Sequence, residues 1–350
     1  MSFKRLDAED FVVSADAVQS IAWSTGAPTL TQFFTSSIQA SGTSGNYYLA
    51  VFQTESGDYT AAVQFDIAYG NKYGSGSQYF DSLYESRTPS STIYGQYRSM
   101  ILEDENAIFI TGLGTTGQTT ICGTTITSST AVEMEDFWVI SPDRARYKQS
   151  MFPGTFNLTL SGSGGFLELT DNSNDVTVQT FLGSSRVFQI VSGSNGSGIS
   201  GGGYTPDSGS YGLFFPDIAT ILLNPEAINY SIGVDSDKSP NLVNGTNQAT
   251  LYTAISGGAA FQLNSEETIT SDYVFVRSRN AEFNYSENPS FISGSTGEVI
   301  YDNFINNPQV YVTTIGMYND ANELLAVAKL SRPLLKDFTK ESLVRVKLDF

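Results

Sequence analysis

The chain has 350 residues, 36 acidic against 18 basic, and a formal net charge of −18, which opposes broad contact with nucleic-acid phosphates that only Lys and Arg neutralise. It contains no histidine, which removes Ser-His-Asp and Cys-His triads and histidine-built zinc sites and leaves carboxylate or Lys/Tyr chemistry as the routes open to an enzyme. Cys122 is the single cysteine, so one chain makes neither a disulfide nor a thiolate metal cluster, as suits a reducing cytoplasm.

The composition, with 32 Gly, 19 Tyr and 23 Phe, favours strands punctuated by turns. The opening lacks an apolar leader, and no run approaches the ~20 apolar residues that span a bilayer, so a soluble protein with no membrane insertion is expected. DFVVSADAVQSIAW reads as an extended arm, with a short amphipathic helix as the alternative, and residues 1–45 are assigned to that arm. Strand signals begin at YYLAVFQ and TAAVQFDIA, where Ala61, Val63, Phe65 and Ile67 share one side. They continue at AIFIT, TTICGTTIT, AVEMEDFWVI, FNLTLSG, FLELT, VTVQTF and RVFQIV, at the ~8–12 residue spacing of sandwiches and barrels.

The Gly/Ser-rich stretch 192–210 is expected to be a linker or a long loop, and divides a β-rich domain at 46–191 from a second at 211–350. The second half resumes with YGLFFPDIATILL, ATLYTAIS and DYVFVRSRNAEFNYS. Only PEAIN and TKESL suggest helical turns. The expected fold is therefore mainly β: two sandwich- or barrel-like domains with an extended N-terminal arm and few short helices.

Several motifs have a turn reading beside a functional one. YGNKYGSGSQYF, 69–80, is a glycine turn or an aromatic recognition loop. GLGTTG, 112–117, has the spacing of a dinucleotide loop, but the β-branched sequence after it does not form the helix that must hold a pyrophosphate. DNSND (171–175) and DSDKSPN (235–241) lack the ligand order of a calcium loop and read as Asx turns. No catalytic, cofactor-binding or metal-ligating residue is assigned.

Arg144, Arg146 and Lys148 alternate in SPDRARYKQS, so an extended chain projects all three to one side, as a solvated face or a contact for an acidic neighbour. In the C-terminal region, a turn at Asn319–Glu323 separates QVYVTTIGMY from LLAVAKL. Leu324, Leu325 and Val327 lie in a run too apolar for a strand with one wet face. Either it is a central strand between two layers of one domain, or a partner chain covers it. In LVRVKLDF, Val344, Val346, Leu348 and Phe350 fall on one face, opposite Arg345, Lys347 and Asp349.

The run NPQVYVTTIGMYNDANELLAVAKLSRPLLKDFTKESLVRVKLDF resembles the C-terminal end of structural virion proteins of contractile-tailed phages, particularly large marine and cyanobacterial ones, often baseplate wedge components. AVQFDIAYGNKYGSGSQYF, TIYGQYRSMILEDEN and DFWVISPDRARYKQSMFPGTFNLTLSG resemble the same family, which extends the likeness over most of the chain from about residue 47. The resemblance implies a noncatalytic tail subunit without cofactors, assembled in the host cytoplasm and retained in the virion, with other tail proteins and copies of itself as partners. The alternatives are another virion protein of the neck or head, a receptor-binding module with Tyr/Gly/Ser loops, and a carboxylate-based glycan-degrading tail protein.

Overall fold

The computed structural model describes residues 4–35, 47–79, 83–84, 87–104, 106–111, 118–121, 124–127, 132–176, 180–182, 185–199, 210–243, 245–285 and 288–349. The fold is mainly β, with 45% of residues in strands and 16% in helices. Two compact units divide the chain, a large one of residues 18–267 and a small one of 1–17 with 268–350. This differs from the expected domains at 46–191 and 211–350. Phe188 and Ile190 of Ser185–Ser194 pair directly with Phe214 and Gly212 of Gly212–Phe215, so the glycine-rich stretch joins neighbouring strands of one sheet.

That sheet is antiparallel and curled. Its strands run in the order Thr29–Leu30, Ala260–Gln262, Asn157–Gly162, Gly165–Asp171, Ser185–Ser194, Gly212–Phe215, Thr220–Leu223, Asp136–Pro142, Val63–Asn71, Tyr48–Phe52 and Phe34–Thr35. Asp136–Pro142 is central and covered on both faces, which is why its middle, Phe137–Ile140, is continuously apolar instead of alternating. Trp138 and Ile140 enter one buried cluster, Phe137 and Val139 the other.

Helix α1, Pro89–Leu102, covers the second cluster with Tyr94, Ile101 and Leu102. Its start is fixed by Thr88, whose Oγ1 accepts from the Ser91 N–H at 3.3 Å, and by Pro89 in the first turn. Gly70 lets it lie close to the sheet, because a Cβ there would stand 3.0 Å from the Tyr94 backbone nitrogen and 2.8 Å from the Phe137 ring. Helix α2, Pro225–Ile232, realises the PEAIN signal, with Asn224 accepting from the Glu226 N–H and Gly233 ending it at φ +70°. Helix α3, Thr246–Gly258, supplies Leu251, Ala254 and Ile255 to the first cluster. Thus ATLYTAIS is helical and not a strand, whereas TKESL leads into the strand Ser342–Asp349 instead of a helix.

The arm is extended, as expected, over Phe11–Ile21. Beyond it, however, Trp23, Leu30 and Phe33 are buried in the first cluster. The Trp23 and Phe261 ring centroids are 4.9 Å apart, and Phe261 stands 5.2 Å from Phe65 and 6.0 Å from Phe156. The segment 22–35 is therefore anchored in the large unit's core by Trp23, Leu30 and Phe33. The GLGTTG motif lies outside the described residues, as does Cys122; Gln118–Ile121, just after the motif, is a strand paired with Thr124–Thr127, not the helix a pyrophosphate site needs.

In the small unit, Ser342–Asp349 pairs antiparallel with residues 271–278, from Ser271 opposite Asp349 to Ser278 opposite Ser342. Gln309–Tyr318 and Leu324–Asp337 form a separate two-stranded sheet. A five-residue helix, Asp302–Asn306, precedes it.

If Trp23 belongs to the core, Trp23→Ala lowers the unfolding free energy by about 3–5 kcal/mol in urea titrations of the full chain. A loss below about 1 kcal/mol would show that this segment is a detachable arm.

Candidate functional site

Two regions concentrate polar chemistry in the large unit, and one concentrates uncovered apolar surface in the small unit. The first is an open groove of about 910 Å³ lined by Glu226, Asn229 and Tyr230 of α2 and by residues 235–239. Beneath it, the buried Asp136 accepts from the Tyr69 hydroxyl at 3.0 Å and the Ser236 hydroxyl at 2.6 Å, and Lys238 Nζ stands 3.1 Å from its Oδ1. Lys238 also reaches Glu226 Oε1 at 3.2 Å. Burial opposes the Lys238 charge, but the attraction of Asp136 and hydrogen bonds to Asp136 and Glu226 outweigh it, so its pKa stays above the ordinary lysine value. Burial and then the Asp136 charge hold the Tyr69 hydroxyl protonated far above its usual range.

The cluster therefore turns three protons toward one carboxylate. Lys238, kept charged, supplies no lone pair for base or Schiff-base chemistry. The DSDKSPN loop is further tied by Asn247, whose Oδ1 accepts from the Asp237 N–H at 2.8 Å and whose Nδ2 donates to Asp237 O at 3.0 Å and Gly76 O at 3.2 Å. YGNKYGSGSQYF is likewise a tied turn over its described part: Thr88 Oγ1 donates to Gly74 O and Ser90 Oγ to Ser75 O. Asp171 of DNSND accepts from the Gly154 and Ser173 N–H groups, an Asx turn. Among the described residues, no group of three or more Asp, Glu or Cys is placed to hold a metal ion.

The second polar region is the carboxylate pair Asp66 and Asp143. Burial, and next the charge of Asp143, push the Asp66 carboxyl up to about 6, and its Oδ1 is enclosed without a hydrogen-bond partner. Burial and then Asp66 push the Tyr97 hydroxyl up to about 12. A carboxyl titrating near neutrality is suited to proton transfer, but neither Asp66 nor Asp143 lines the groove.

Arg144, Arg146 and Lys148 do not project along an extended chain. Arg144–Arg146 is a 3-10 turn, because Asp143 Oδ1 accepts from the Ala145 N–H at 2.9 Å and bends the chain directly after the strand. Arg144 donates to Tyr147 O at 2.6 Å and lies 4.6 Å from the centre of the Tyr147 ring. Arg146 is half-buried, and Lys148 pairs with Glu267. These partners lie within the chain, and sequence spacing could not show them.

In the small unit, Val346 is buried opposite the buried Val274, and Val344 and Leu348 on the same face are half-buried. Phe350 lies outside the described residues. Leu324, Leu325 and Val327, in contrast, are 53%, 69% and 57% exposed. Their strand is not the expected centre of two layers: among the described residues it pairs with Gln309–Tyr318 alone. The Asn319–Glu323 turn forms as expected, with Asn319 accepting from the Glu323 N–H at 2.8 Å and donating to the Glu323 carboxylate at 2.7 Å.

The hairpin is rooted at one end. Lys336 is fully buried and donates to Glu282 O, to Asn280 O at 3.3 Å and to Asn284 Oδ1 at 2.7 Å, and burial pulls its pKa below the ordinary lysine value. At the other end a bulge alters the pattern. Met317 pairs with Ala326 and Tyr318 with Leu324, so Leu325 is an extra residue. The bulge moves Leu324 out of phase with the half-buried Ala326 and Ala328 and exposes it beside Tyr318. The Tyr318 ring then lies over Gly316, where a Cβ would come within 2.9 Å of it, with Leu324 next to them at 3.4 Å.

Comparison with known proteins finds no matching family model, no matching curated protein and no matching solved structure. No described helix is long and apolar enough to cross a membrane.

Asp66 gives this region a pH signature. With its folded pKa near 6 and its ordinary value at 3.8, the folded chain keeps a proton that the unfolded chain has released, so stability falls as pH rises through that window. Asp66→Asn removes this loss. After discounting for partial solvent access, it is expected to raise the unfolding free energy at about pH 8 by ~1 kcal/mol more than at about pH 4. An equal effect at both would place Asp66 in a water-like environment.

Proposed function

We propose that the chain is a noncatalytic structural subunit that works by being held between neighbouring chains. Following the family resemblance, its assembly is the contractile tail of a phage, with the baseplate wedge as its station. The observation that carries the reading is the hairpin, rooted by Lys336 and exposing Leu324, Leu325 and Val327 at its far end. Exposed apolar side chains concentrated on one element mark interaction surfaces. A two-stranded sheet is also marginal by itself in water and gains from additional strands.

The other features are consistent with this use. The polar groove rests on an Asp136 network in which each donor is already committed, which stiffens a scaffold. A net charge of −18 keeps unassembled chains apart until specific contacts overcome the repulsion. On this reading the partners are other tail proteins and copies of the chain, and the location is the virion after assembly in the host cytoplasm. The work is mechanical: many modest contacts build a platform whose interfaces rearrange when the tail contracts.

The test is co-expression with contractile-tail proteins of a phage, followed by mass spectrometry of purified particles. The triple variant Leu324→Ser, Leu325→Ser, Val327→Ser is expected to retain the wild-type unfolding free energy within about 0.5 kcal/mol, since all three side chains are exposed, yet to enter particles about tenfold less, a loss of only ~1.4 kcal/mol in contact energy. Equal incorporation, or absence of the wild type from particles, would contradict the reading.

A further inference from the structure

We infer that Lys238 and Asp136 become joined in an amide: the lysine Nζ condenses with the buried side-chain carboxyl, one water leaves, and the loop 235–239 is covalently tied to the central strand Asp136–Pro142. This goes beyond the assembly reading and does not depend on it.

The two oxygens of Asp136 are used differently. The Tyr69 and Ser236 hydroxyls both donate to Oδ2, at 3.0 Å and 2.6 Å, whereas Lys238 Nζ stands 3.1 Å from Oδ1. Two donors on one oxygen polarise the carboxyl carbon and stand ready for negative charge on that oxygen, as in an oxyanion hole. The amine is held at the other oxygen. A third group completes the set, because Glu226 Oε1 lies 3.2 Å from the same Nζ, within reach to carry a proton. Among the described residues, lysines also pair with Glu282, Glu267, Asp337 and Asp349, but those carboxylate side chains are 12% to 52% exposed, against 3% for Asp136.

The charged lysine has no lone pair for a molecule arriving from solvent. Within the ion pair, however, the proton has a nearby acceptor in Asp136 itself. Its transfer from Nζ to Oδ1 turns ammonium and carboxylate into amine and carboxylic acid without changing the net charge, and enclosure favours that neutral pair more than water does. The Nζ lone pair then attacks Cγ, forming the C–N bond, and the carbonyl electrons move to Oδ2 beneath the two hydroxyls. Glu226 takes a proton from Nζ and returns it to Oδ1. As the carbonyl re-forms on Oδ2, Oδ1 departs as water beside the open groove. An amine and an acid become an amide and water, with no oxidant or activating reagent. Free in solution the two groups remain ions, but well-oriented intramolecular partners reach effective molarities of ~10⁵–10⁸ M.

The bond closes a ring that contains the strands from Asn157–Gly162 to Thr220–Leu223 together with α2. A crosslink over so long a loop restricts the unfolded chain. It also keeps the central strand from being pulled away from the loop under load.

The experiment is intact-mass spectrometry of the denatured full chain, followed by peptide mapping. The wild type is expected to weigh one water less than its sequence, with residues 136 and 238 in one crosslinked peptide. Lys238→Arg keeps a positive charge beside Asp136 but has no nucleophilic amine, and is expected to show the full sequence mass. Glu226→Gln, at an exposed position, is expected to keep the wild-type circular dichroism and to lose water about 100-fold more slowly after synthesis. A wild type that retains its full sequence mass after prolonged incubation near neutral pH would overturn the amide, and a water loss that survives Lys238→Arg would overturn its assignment to this pair. Equal rates with and without the Glu226 carboxylate would overturn its part as proton carrier. Particle incorporation is measured separately, so failure here leaves the assembly reading intact.

Discussion

Covering both faces of an apolar strand is the constraint on which this architecture depends. Asp136–Pro142 turns Trp138 and Ile140 to one side and Phe137 and Val139 to the other, and neither side tolerates water at a cost of ~25 cal/mol per Å² of apolar surface. The large unit meets the demand within one chain. Its sheet curls over the first cluster, with α3 and the segment bearing Trp23, Leu30 and Phe33 adding to it, and α1 lies over the second. The small unit leaves the demand unmet at its hairpin, where the apolar residues around the bulge are exposed. That difference between the units, more than any single residue, is what the proposed role in assembly rests on.

Charge follows the same division. Although cations are scarce, several are used internally. Arg186 bridges Asp217 at 2.7 Å and Glu266 at 2.9 Å, Lys238 serves Asp136, and Lys336 satisfies three oxygens at the hairpin root. Each ties a loop to a strand, and removing one partner of such an enclosed pair costs far more than an exposed pair contributes. The strand Gln309–Tyr318, by contrast, carries no charge at all. Under the proposed role, an uncharged strand is where a neighbouring chain meets least of that repulsion.

The sequence discloses the strands more readily than the helices, for physical reasons. Alternation in LVRVKLDF and the continuous apolar run in DFWVI reflect one and two covered faces directly. In α3, ATLYTAIS has the threonine and tyrosine content of a strand, and tertiary packing of Leu251, Ala254 and Ile255 overrides that weak preference. The start of α1 was readable in Thr88, Pro89 and Ser91, a capping signature that precedes a segment of ordinary composition. At the site, the excess of apolar residues at 324–328 is evident from composition alone, but its cause, a bulge at Leu325, is a pairing property that no local pattern shows. Asp136, Asp66 and Lys336 are single ionisable residues whose significance comes from partners distant in sequence, as does the surface pairing of Lys148 with Glu267.

The most direct measurement of the central claim is amide hydrogen exchange of peptides covering 309–318, followed as the chain passes from dilute solution into its assembled form. A hairpin that awaits neighbours is predicted to exchange half its strand amides rapidly when dilute, those facing the open edge, and to protect them once assembled, while the 136–142 peptide remains protected throughout. Equal protection of 309–318 in both states would mean that the chain covers this strand by itself, and would contradict the account.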